Sequence, residues 1–268
     1  MVNINPPYAE HGSRTTIINH GEHKSNVAKE NKIYNEFSKS VGTATRELYI
    51  QFFLRIYKEL LNVKLASFST VKFINSQNFS KFREFFKADF KKGFICKANT
   101  FDNVKGNFPI GFLIWELNKS KSFENIQTDV FDNECVGIKN FYSINSQNFI
   151  SSWLRKFYDN KNNSIGFLIL PGVDMQQQNG VYITSKPTES DIKQHKTAKI
   201  SQNNLLVMSI YLSVRQVIDM NWINNKDQFL FPNEKWKSDS EFQNDCLAFT
   251  LFSNNIQSQF GTNHWIPF

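Results

Sequence analysis

The residues most able to do chemistry stand near the start of the chain, in the tetrapeptide Asn5-Pro6-Pro7-Tyr8. At average composition, two adjacent prolines flanked by these residue types occur by chance in only about one chain in several hundred. Residues 2–4 read as a short strand, which the prolines end because proline lacks the N–H that a sheet ladder needs. A strand end followed by a long polar loop is a typical setting for a functional site. The alternative is a proline turn that ends a strand and does nothing more.

A second motif is Phe108-Pro109, directly before the apolar run Ile110 to Trp115. That run is expected for a strand covered on both faces. It follows a predicted strand at residues 94–98 without room for a helix, so we expect an antiparallel hairpin there. Taken alone, a Phe-Pro pair in a chain with 27 phenylalanines is typical of a hydrophobic core.

Over roughly residues 1–118 the chain resembles the adenine-N6 DNA methyltransferases of restriction-modification systems. Those enzymes carry Asn-Pro-Pro-Tyr at the carboxyl end of the fourth strand of a doubly wound sheet, where α/β proteins bind ligands. They also place an aromatic residue and a proline just before their antiparallel final strand, as Phe108-Pro109 stands here. The resemblance implies that both motifs line the pocket of an adenine flipped out of DNA.

The resemblance also implies a role for each motif residue. Adenine N6 is a poor nucleophile because its lone pair is delocalised into the ring. The Asn5 side-chain oxygen and the Pro6 carbonyl would accept its hydrogens as charge develops, and Pro7 would help to keep that carbonyl rigid. Tyr8 would stack on the base, and Phe108 with Pro109 would hold its opposite face. The methyl donor would be S-adenosylmethionine.

The chain departs from the family pattern at the cofactor site. The family binds S-adenosylmethionine on a glycine-rich turn after the first strand, with an acidic residue after the second strand. Neither feature precedes Asn5 here, so the cofactor-binding residues are unknown. We expect a fragment that lacks the first three strands and is inactive alone. Its first strand would be an open sheet edge, which predicts self-association or a complementing methyltransferase half.

Strands and helices alternate around the two motifs. Apolar residues at helical spacing predict helices at 48–60 and 79–86, separated by strands at 63–68 and 94–98. The predicted fold class is α/β, the C-terminal half of a Rossmann-like methyltransferase sheet at residues 1–118 followed by a mixed α+β extension at 119–268. The extension, a candidate target-recognition region, has predicted strands at 165–170 and 181–183 and predicted helices near 206–218 and 242–253.

Composition narrows the choice of compartment and partner. No apolar run approaches the roughly 20 residues that span a bilayer, and the start lacks the features of a secretory signal. We therefore expect a cytoplasmic protein with no membrane partner. The separated cysteines Cys96, Cys135 and Cys246 fit reduced core thiols. The net charge of +7 suits a polyanion, and we expect double-stranded DNA as the partner.

Three further groups of residues have simpler explanations. His20-Gly21-Glu22-His23 lacks further ligands nearby and reads as a loop, so no metal is predicted. The tryptophans Trp222, Trp236 and Trp265 read as core anchors. Several cations could contact DNA phosphates, although a solvated basic surface explains them equally well. They are Arg14, Lys24, Lys29, Lys32, Arg46 and Lys72.

Two other functions compete with methyl transfer. In the first, residues 119–268 contact DNA in a non-catalytic DNA-binding or specificity module of a restriction-modification system. In the second, the chain is an unrelated small-molecule α/β enzyme, for which no donor-binding motif is present. The resemblance also extends to enzymes that modify RNA bases or protein glutamine, and the large trailing domain favours DNA among these substrates.

Overall fold

The computed structural model describes residues 1–6, 31–60, 62–101, 106–118, 122–144, 146–253, 256–258 and 261–262. The chain divides into two compact units. The first comprises Met1–Asn145 and Trp222–Lys226, and the second comprises Ser146–Asn221 and Asp227–Phe268. Each unit has its own sheet and its own hydrophobic core.

The first unit alternates strands and helices before it continues into antiparallel strands. Short 3-10 segments lie at Gly42–Arg46, Gln77–Phe79 and Ala98–Thr100. Its described strands and α-helices are, in order, β1 (Val2–Ile4), α1 (Lys32–Val41), α2 (Leu48–Glu59), β2 (Lys64–Thr70), α3 (Lys72–Asn75), α4 (Ser80–Phe85), β3 (Asp89–Lys97), β4 (Pro109–Glu116), β5 (Asn125–Asp132) and β6 (Glu134–Tyr142).

The strands of the first unit form one mixed sheet in the order β1-β2-β4-β3-β5-β6. Strand β1 is parallel to β2, and β3 is parallel to β5. Strand β4 is antiparallel to both β2 and β3, and β6 is antiparallel to β5. The carboxyl ends of β1, β2, β3 and β5 therefore meet the amino end of β4 at one edge, which we call the carboxyl edge.

Local capping explains where α1 begins and ends. The Asn31 side-chain oxygen accepts a hydrogen bond from the Tyr34 backbone N–H at 2.9 Å, which satisfies one of the unpaired donors of the first turn. Gly42 follows the helix with a φ of 71°, a conformation that glycine adopts without strain. The chain then turns into α2.

The helices of the first unit cover one face of its sheet. Trp115 on β4 is fully buried, and its ring centroid lies 5.9 Å from those of both Phe73 and Phe86. Phe53 of α2 packs edge-on against Phe73 at 5.7 Å. This aromatic layer holds α2, α3 and α4 against the sheet and so fixes the strands whose ends form the carboxyl edge.

The second unit is built around a five-stranded sheet in the order β11-β10-β8-β7-β9. Short 3-10 segments lie at Ser146–Asn148, Arg155–Phe157, Met175–Gly180 and Glu234–Lys237. The described strands and α-helices are α5 (Ile150–Leu154), β7 (Gly166–Leu170), β8 (Tyr182–Thr184), α6 (Glu189–Gln194), β9 (Lys196–Ile200), α7 (Leu205–Gln216), α8 (Ser240–Phe252), β10 (Ile256–Ser258) and β11 (Gly261–Thr262).

The predicted mixed α/β class and the β3–β4 hairpin are confirmed. The predicted strands and helices are present close to their expected positions. The sequence interpretation missed the β5–β6 hairpin, which extends the first sheet beyond residue 118. The Rossmann-like assignment and the division at residues 118 and 119 stay predictions, while the compact units themselves divide near residue 145.

Two further expectations concern the position of the cysteines and the absence of a membrane partner. All three cysteines are free thiols, with Cys96 and Cys246 buried. The expected core position is wrong for Cys135, which is exposed on β6 because that strand lies at the outer edge of the sheet. Within the described ranges, no helix has the length and apolar character needed to cross a membrane.

Candidate functional site

Asn5 and Pro6 leave the carboxyl edge directly after β1. The parallel pairing of β1 with β2 places Ile4 beside Ser67. Asn5 is exposed and Pro6 is buried. Pro7 and Tyr8 lie outside the described residues. The described half of this motif therefore stands at the end of a parallel strand, where α/β proteins bind their ligands.

Phe108 and Pro109 enter the same edge from the opposite direction. Pro109 is the buried first residue of β4 and pairs with Lys97, the last residue of β3. The first position of a strand tolerates proline because its missing N–H need not join the ladder. The half-buried Phe108 is held by its backbone carbonyl, which accepts a hydrogen bond from the Ala98 N–H at 2.9 Å.

Strand β2 lies between the two motifs. Neighbouring strands are about 4.8 Å apart, so the backbone at Asn5 and the backbone at Phe108 are roughly 10 Å apart across the sheet. The register places Asn5 level with Phe112 on β4, so Phe108 also lies four residues, roughly 13 Å, farther along the strand direction. Both motifs therefore reach the same edge of the sheet, with an offset along the strand direction. The fold thus brings together two motifs that are far apart in the sequence.

A third segment, Trp222–Lys226, joins this unit from far along the chain. The Trp222 side chain is buried in the first unit's core, and Lys97 Nζ lies 5.7 Å from its ring centroid. Lys226 Nζ lies over the Phe108 ring, 5.4 Å from its centroid. Sequence reasoning identified Trp222 only as a core anchor and did not single out Lys226. No local pattern links Lys226 to Phe108.

The charged groups at the edge are partly paired. Lys97 Nζ lies 2.7 Å from Asp132 Oδ2, and Lys72 Nζ lies 2.9 Å from Glu47 Oε1. Lys72 is therefore already engaged with a buried carboxylate. Of the other cations proposed to contact phosphate, Lys32 and Arg46 are described. The remaining three, Arg14, Lys24 and Lys29, lie outside the described residues.

Buried hydroxyl groups line β2 between the motifs. The side-chain oxygens of Ser67, Ser69 and Thr70 have no hydrogen-bond partner among the described residues. Buried polar groups usually have a hydrogen-bond partner in the protein or in ordered water. The thiol of Cys96, near the end of β3, is a poor nucleophile because burial raises its pKa. The chemistry available at this edge is hydrogen bonding and stacking.

The sheet face opposite the helices carries a row of phenylalanines, which we call the phenylalanine face. Phe68 and Phe94 flank Phe112 in register on neighbouring strands, with ring centroids 4.8 and 5.8 Å from it. Phe131 lies 5.4 Å from Phe94 and is 38% exposed. Phe112 and Trp115 project to opposite faces because alternate strand residues do so. The phenylalanine face is only half covered.

The described residues do not fit the S-adenosylmethionine site that the resemblance implies. That site needs a glycine-rich turn between a strand and a helix. Strand β2 enters α3 through Val71, β8 reaches α6 through residues 185–188, and β9 reaches α7 through residues 201–204. None of these three turns contains glycine. We therefore assign no donor-binding residue to this part of the chain.

Among the described residues, neither a metal-ligand cluster nor the groove in the first unit adds another centre at the carboxyl edge. No group of three His, Cys, Asp or Glu side chains gathers within the described ranges. The sequence His20-Gly21-Glu22-His23 lies outside them. A groove of about 790 Å³ lies at the opposite edge of the first sheet, where its lining includes Asp89, Lys91 and Asn125. It is at the wrong end of the strands to include either motif.

No known protein family and no curated protein matches the chain. Eighteen chains of solved structures match it. The cryoEM structure of the DrdV-DNA complex is 16% identical with a TM-score of 0.35, over 66% of this chain and 20% of that chain. The ATP-dependent Type ISP restriction-modification enzyme LlaBIII bound to DNA is 11% identical with a TM-score of 0.35, over 66% of this chain and 15% of that chain. The matched region is therefore a fifth or less of either protein. At this TM-score neither similarity assigns the chain to a family.

Proposed function

We propose that this chain carries the base-binding half of an adenine-N6 DNA methyltransferase of the restriction-modification type. The observation that carries the proposal is the placement of the two motifs. Asn5-Pro6 follows the parallel strand β1, and Phe108-Pro109 opens the antiparallel strand β4 at the same edge of one sheet. This is the order and orientation that the family resemblance implies.

In this proposal the edge binds an adenine flipped out of the duplex. The Asn5 side-chain oxygen and the Pro6 carbonyl accept the two N6 hydrogens, and the partial negative charge of these neutral oxygens favours the positive charge that develops on the nitrogen. Phe108 stacks on the base. Tyr8 contacts the opposite face of the base, and Pro7 restricts the backbone between Pro6 and Tyr8. The protein's own contribution is orientation and polarisation of the amino group.

The methyl group itself would come from S-adenosylmethionine, the donor that the family uses. Because no described residue fits that cofactor, the donor site is proposed to lie on a complementing methyltransferase half. Two surfaces support such a partner. Strand β1 is the described edge of the first sheet, and the phenylalanine face is only half covered.

The charge distribution supports a DNA partner for the first unit. The second unit contains ten Lys and Arg residues and ten Asp and Glu residues, so the whole net charge of +7 belongs to the first unit. Cations near a nucleobase site strengthen binding because they release counterions from the phosphates. The candidate base site and the basic excess therefore belong to the same unit.

The competing proposal is a non-catalytic DNA-binding or specificity module. In that case residues 119–268 contact DNA, and the motif residues have no catalytic role. The even charge balance of the second unit gives this proposal less support, because non-specific DNA binding depends mainly on cations. Both proposals predict salt-dependent binding of duplex DNA, so binding alone does not separate them.

Methylation in cells separates the two proposals. The chain is co-expressed with a polypeptide that supplies a glycine-rich donor half, and N6-methyladenine is located by long-read sequencing of the host DNA. We expect site-specific methylation with the native chain and a loss of at least about a hundredfold in rate with Asn5→Ala, the magnitude typical of a lost transition-state hydrogen bond.

The matched control is Asn3→Ala, which makes the same side-chain change two residues earlier on β1. Asn3→Ala should leave the methylation rate within about twofold. Equal methylation by the native and Asn5→Ala chains would overturn the assigned role of Asn5. DNA binding without methylation in every donor-half combination would favour the specificity module.

A further inference from the structure

The outer strand β6 of the first sheet is exposed along most of its length. It lies at the side of the sheet opposite β1, and among the described strands none pairs with its outer side. Ile138 and Tyr142 on this strand are 61% and 58% exposed. We call the segment from Ile138 to Tyr142 the β6 edge. A strand edge with exposed apolar side chains is a template on which another strand can pair.

The ladder between β5 and β6 determines which backbone groups of the β6 edge face outward. The Ser143 N–H donates a hydrogen bond to the Glu124 carbonyl at 2.7 Å, so the backbone of Ser143 faces β5. This orientation alternates along an antiparallel ladder, and Ile138, Asn140 and Tyr142 therefore direct their N–H and C=O groups away from β5. The bulge of this ladder lies before Ile138, so the β6 edge is a regular strand.

The side chains of the three outward-facing residues are complementary to themselves. Their order along the chain is aliphatic, amide and aromatic, at Ile138, Asn140 and Tyr142. A second copy that runs antiparallel presents the reverse order. When the pairing is centred on Asn140, each Ile138 lies opposite the other copy's Tyr142, a favourable cross-strand pair of a β-branched and an aromatic residue. No charged side chains come opposite each other at these three positions.

The amide of Asn140 is able to pair with the same amide of a second copy. Its Oδ1 already accepts a hydrogen bond from Gln127 Nε2 at 3.1 Å. A carbonyl oxygen has two lone pairs and the amide nitrogen carries two hydrogens, so each Asn140 can both donate to and accept from its counterpart. The polar residue of the β6 edge is therefore satisfied when it faces itself.

We propose that the β6 edge is a dimer interface, at which β6 of a second copy of this chain pairs antiparallel about Asn140. The two sheets then become one continuous sheet with about six backbone hydrogen bonds across the junction. Strand β1 lies at the other side of each sheet and stays accessible to a complementing half. This inference is independent of the proposed function. A pairing this short buries less than the roughly 800 Å² per partner of a standard interface, so we expect a Kd of about 10–100 µM.

Oxidative cross-linking of the full chain tests the interface and its register. Cys135→Ser removes the exposed thiol, and Cys96 and Cys246 are buried. In this background Asn140→Cys should form a covalent dimer, because the two cysteines face each other with their Cα atoms about 5.5 Å apart. Ile138→Cys should stay monomeric, since the two copies of residue 138 lie four residues, roughly 13 Å, apart along the strands.

The double variant Ile138→Cys with Tyr142→Cys should regain the cross-link, because these two positions face each other across the junction. If Ile138→Cys alone cross-links as readily as Asn140→Cys, the cross-links come from random collision and the proposed pairing is wrong. If none of these variants cross-links, the β6 edge does not pair with a second copy.

Sedimentation equilibrium measures the same dimer without a cross-link. Ile138→Lys should weaken dimerisation at least about tenfold, because an exposed lysine protects a strand edge from pairing. Its melting temperature should stay unchanged, since the Ile138 side chain is exposed. The matched control is Ile192→Lys, the same change at a 64% exposed position of the second unit, which should leave dimerisation unaltered. Equal dimerisation by both variants would overturn the inference.

Two further outcomes concern other occupants of the β6 edge. If Ile138→Lys weakens capture of a complementing half and the Asn140→Cys cross-link fails, the β6 edge pairs with that half and a second copy is the wrong occupant. Phe112→Lys should keep the Asn140→Cys cross-link, because β3 and β5 lie between β4 and β6. Loss of the cross-link in Phe112→Lys would place the contact between copies on the phenylalanine face and would contradict pairing through the β6 edge.

Discussion

Pro109 and Lys97 are partners in the β3–β4 ladder, at the position where β3 ends and β4 begins. Lys97 also forms an ion pair with Asp132, and the next residue, Ala98, donates its N–H to the Phe108 carbonyl. One ladder position therefore fixes both the aromatic residue of the candidate site and a charge pair beside it. Because the backbone holds Phe108, its ring can be displaced while the sheet stays folded.

Gly106→Ala should displace that ring. An added Cβ at residue 106 would lie 2.1 Å from Phe108 Cε1 and 2.5 Å from Cδ1, so the ring must move. We expect adenosine affinity to fall at least about fivefold, since stacking on an aromatic residue contributes about 1–3 kcal/mol per base. The free energy of unfolding should fall by about 1 kcal/mol, as for other overpacked sites. Calorimetry and urea unfolding measure the two effects.

Gly172→Ala is the matched control, because the nearest atoms to its added Cβ are 3.4 Å away, an ordinary contact. It should leave adenosine binding unchanged. Unaltered adenosine affinity in Gly106→Ala would mean that the Phe108 ring is not part of a base site.

The motifs and the strands that carry them could be predicted because their signals are local. Two prolines end β1, and a continuous run of apolar residues marks β4. The β5–β6 hairpin was missed because β6 is exposed along most of its length and so has no buried apolar stripe. Its alternation was nevertheless readable, since Ile126, Thr128 and Val130 are buried and the residues between them are exposed. Period-two alternation is the signal of a strand with one covered face.

The contact between Lys226 and Phe108 had no such signal. It depends on tertiary packing that returns residues 222–226 to the first unit after a long excursion through the second. The sequence indicates that Trp222 is a large aromatic residue that must be buried. It does not indicate which residues Trp222 packs against. Trp222 could therefore be identified as an anchor, whereas the cation that it positions could not.

Acid should destabilise the second unit through Asp159. Its carboxylate accepts hydrogen bonds from Asn162 Nδ2 at 2.6 Å and from Ser201 Oγ at 2.8 Å, and these bonds hold its pKa well below the ordinary range. A carboxylate with a depressed pKa in the folded state contributes stability above its unfolded pKa of about 3.9, and loses it as pH falls below that value. Asp159→Asn should therefore flatten the fall in stability below about pH 4.

Urea unfolding at a series of pH values, followed by tryptophan fluorescence, measures this effect. The control is Asp245→Asn, an exposed carboxylate on α8. If Asp159→Asn and Asp245→Asn change the acid limb equally, the hydrogen bonds from Asn162 and Ser201 do not stabilise the charged form of Asp159.

The phenylalanine face should mediate association, because parallel strands in α/β proteins are covered on both faces and here the helices cover only one. The ring planes of Phe68 and Phe94 are tilted by 47° and 35° against that of Phe112. The rings thus pack on one another as in a protein core. Phe112→Lys should weaken association with a second copy or with a complementing half by at least about tenfold.

Light scattering across a concentration series measures self-association, and co-purification with a donor half measures complementation. Phe131→Lys guards against misfolding, because its side chain is already 38% exposed and a charge there should be tolerated by the monomer. Ile192→Lys, at a 64% exposed position on α6, should have no effect on either measurement. A native chain that stays monomeric at high concentration and binds no donor half would contradict the role of the phenylalanine face. In that case the half-covered rings would be an ordinary apolar part of the surface, and the donor would have to be bound without a partner.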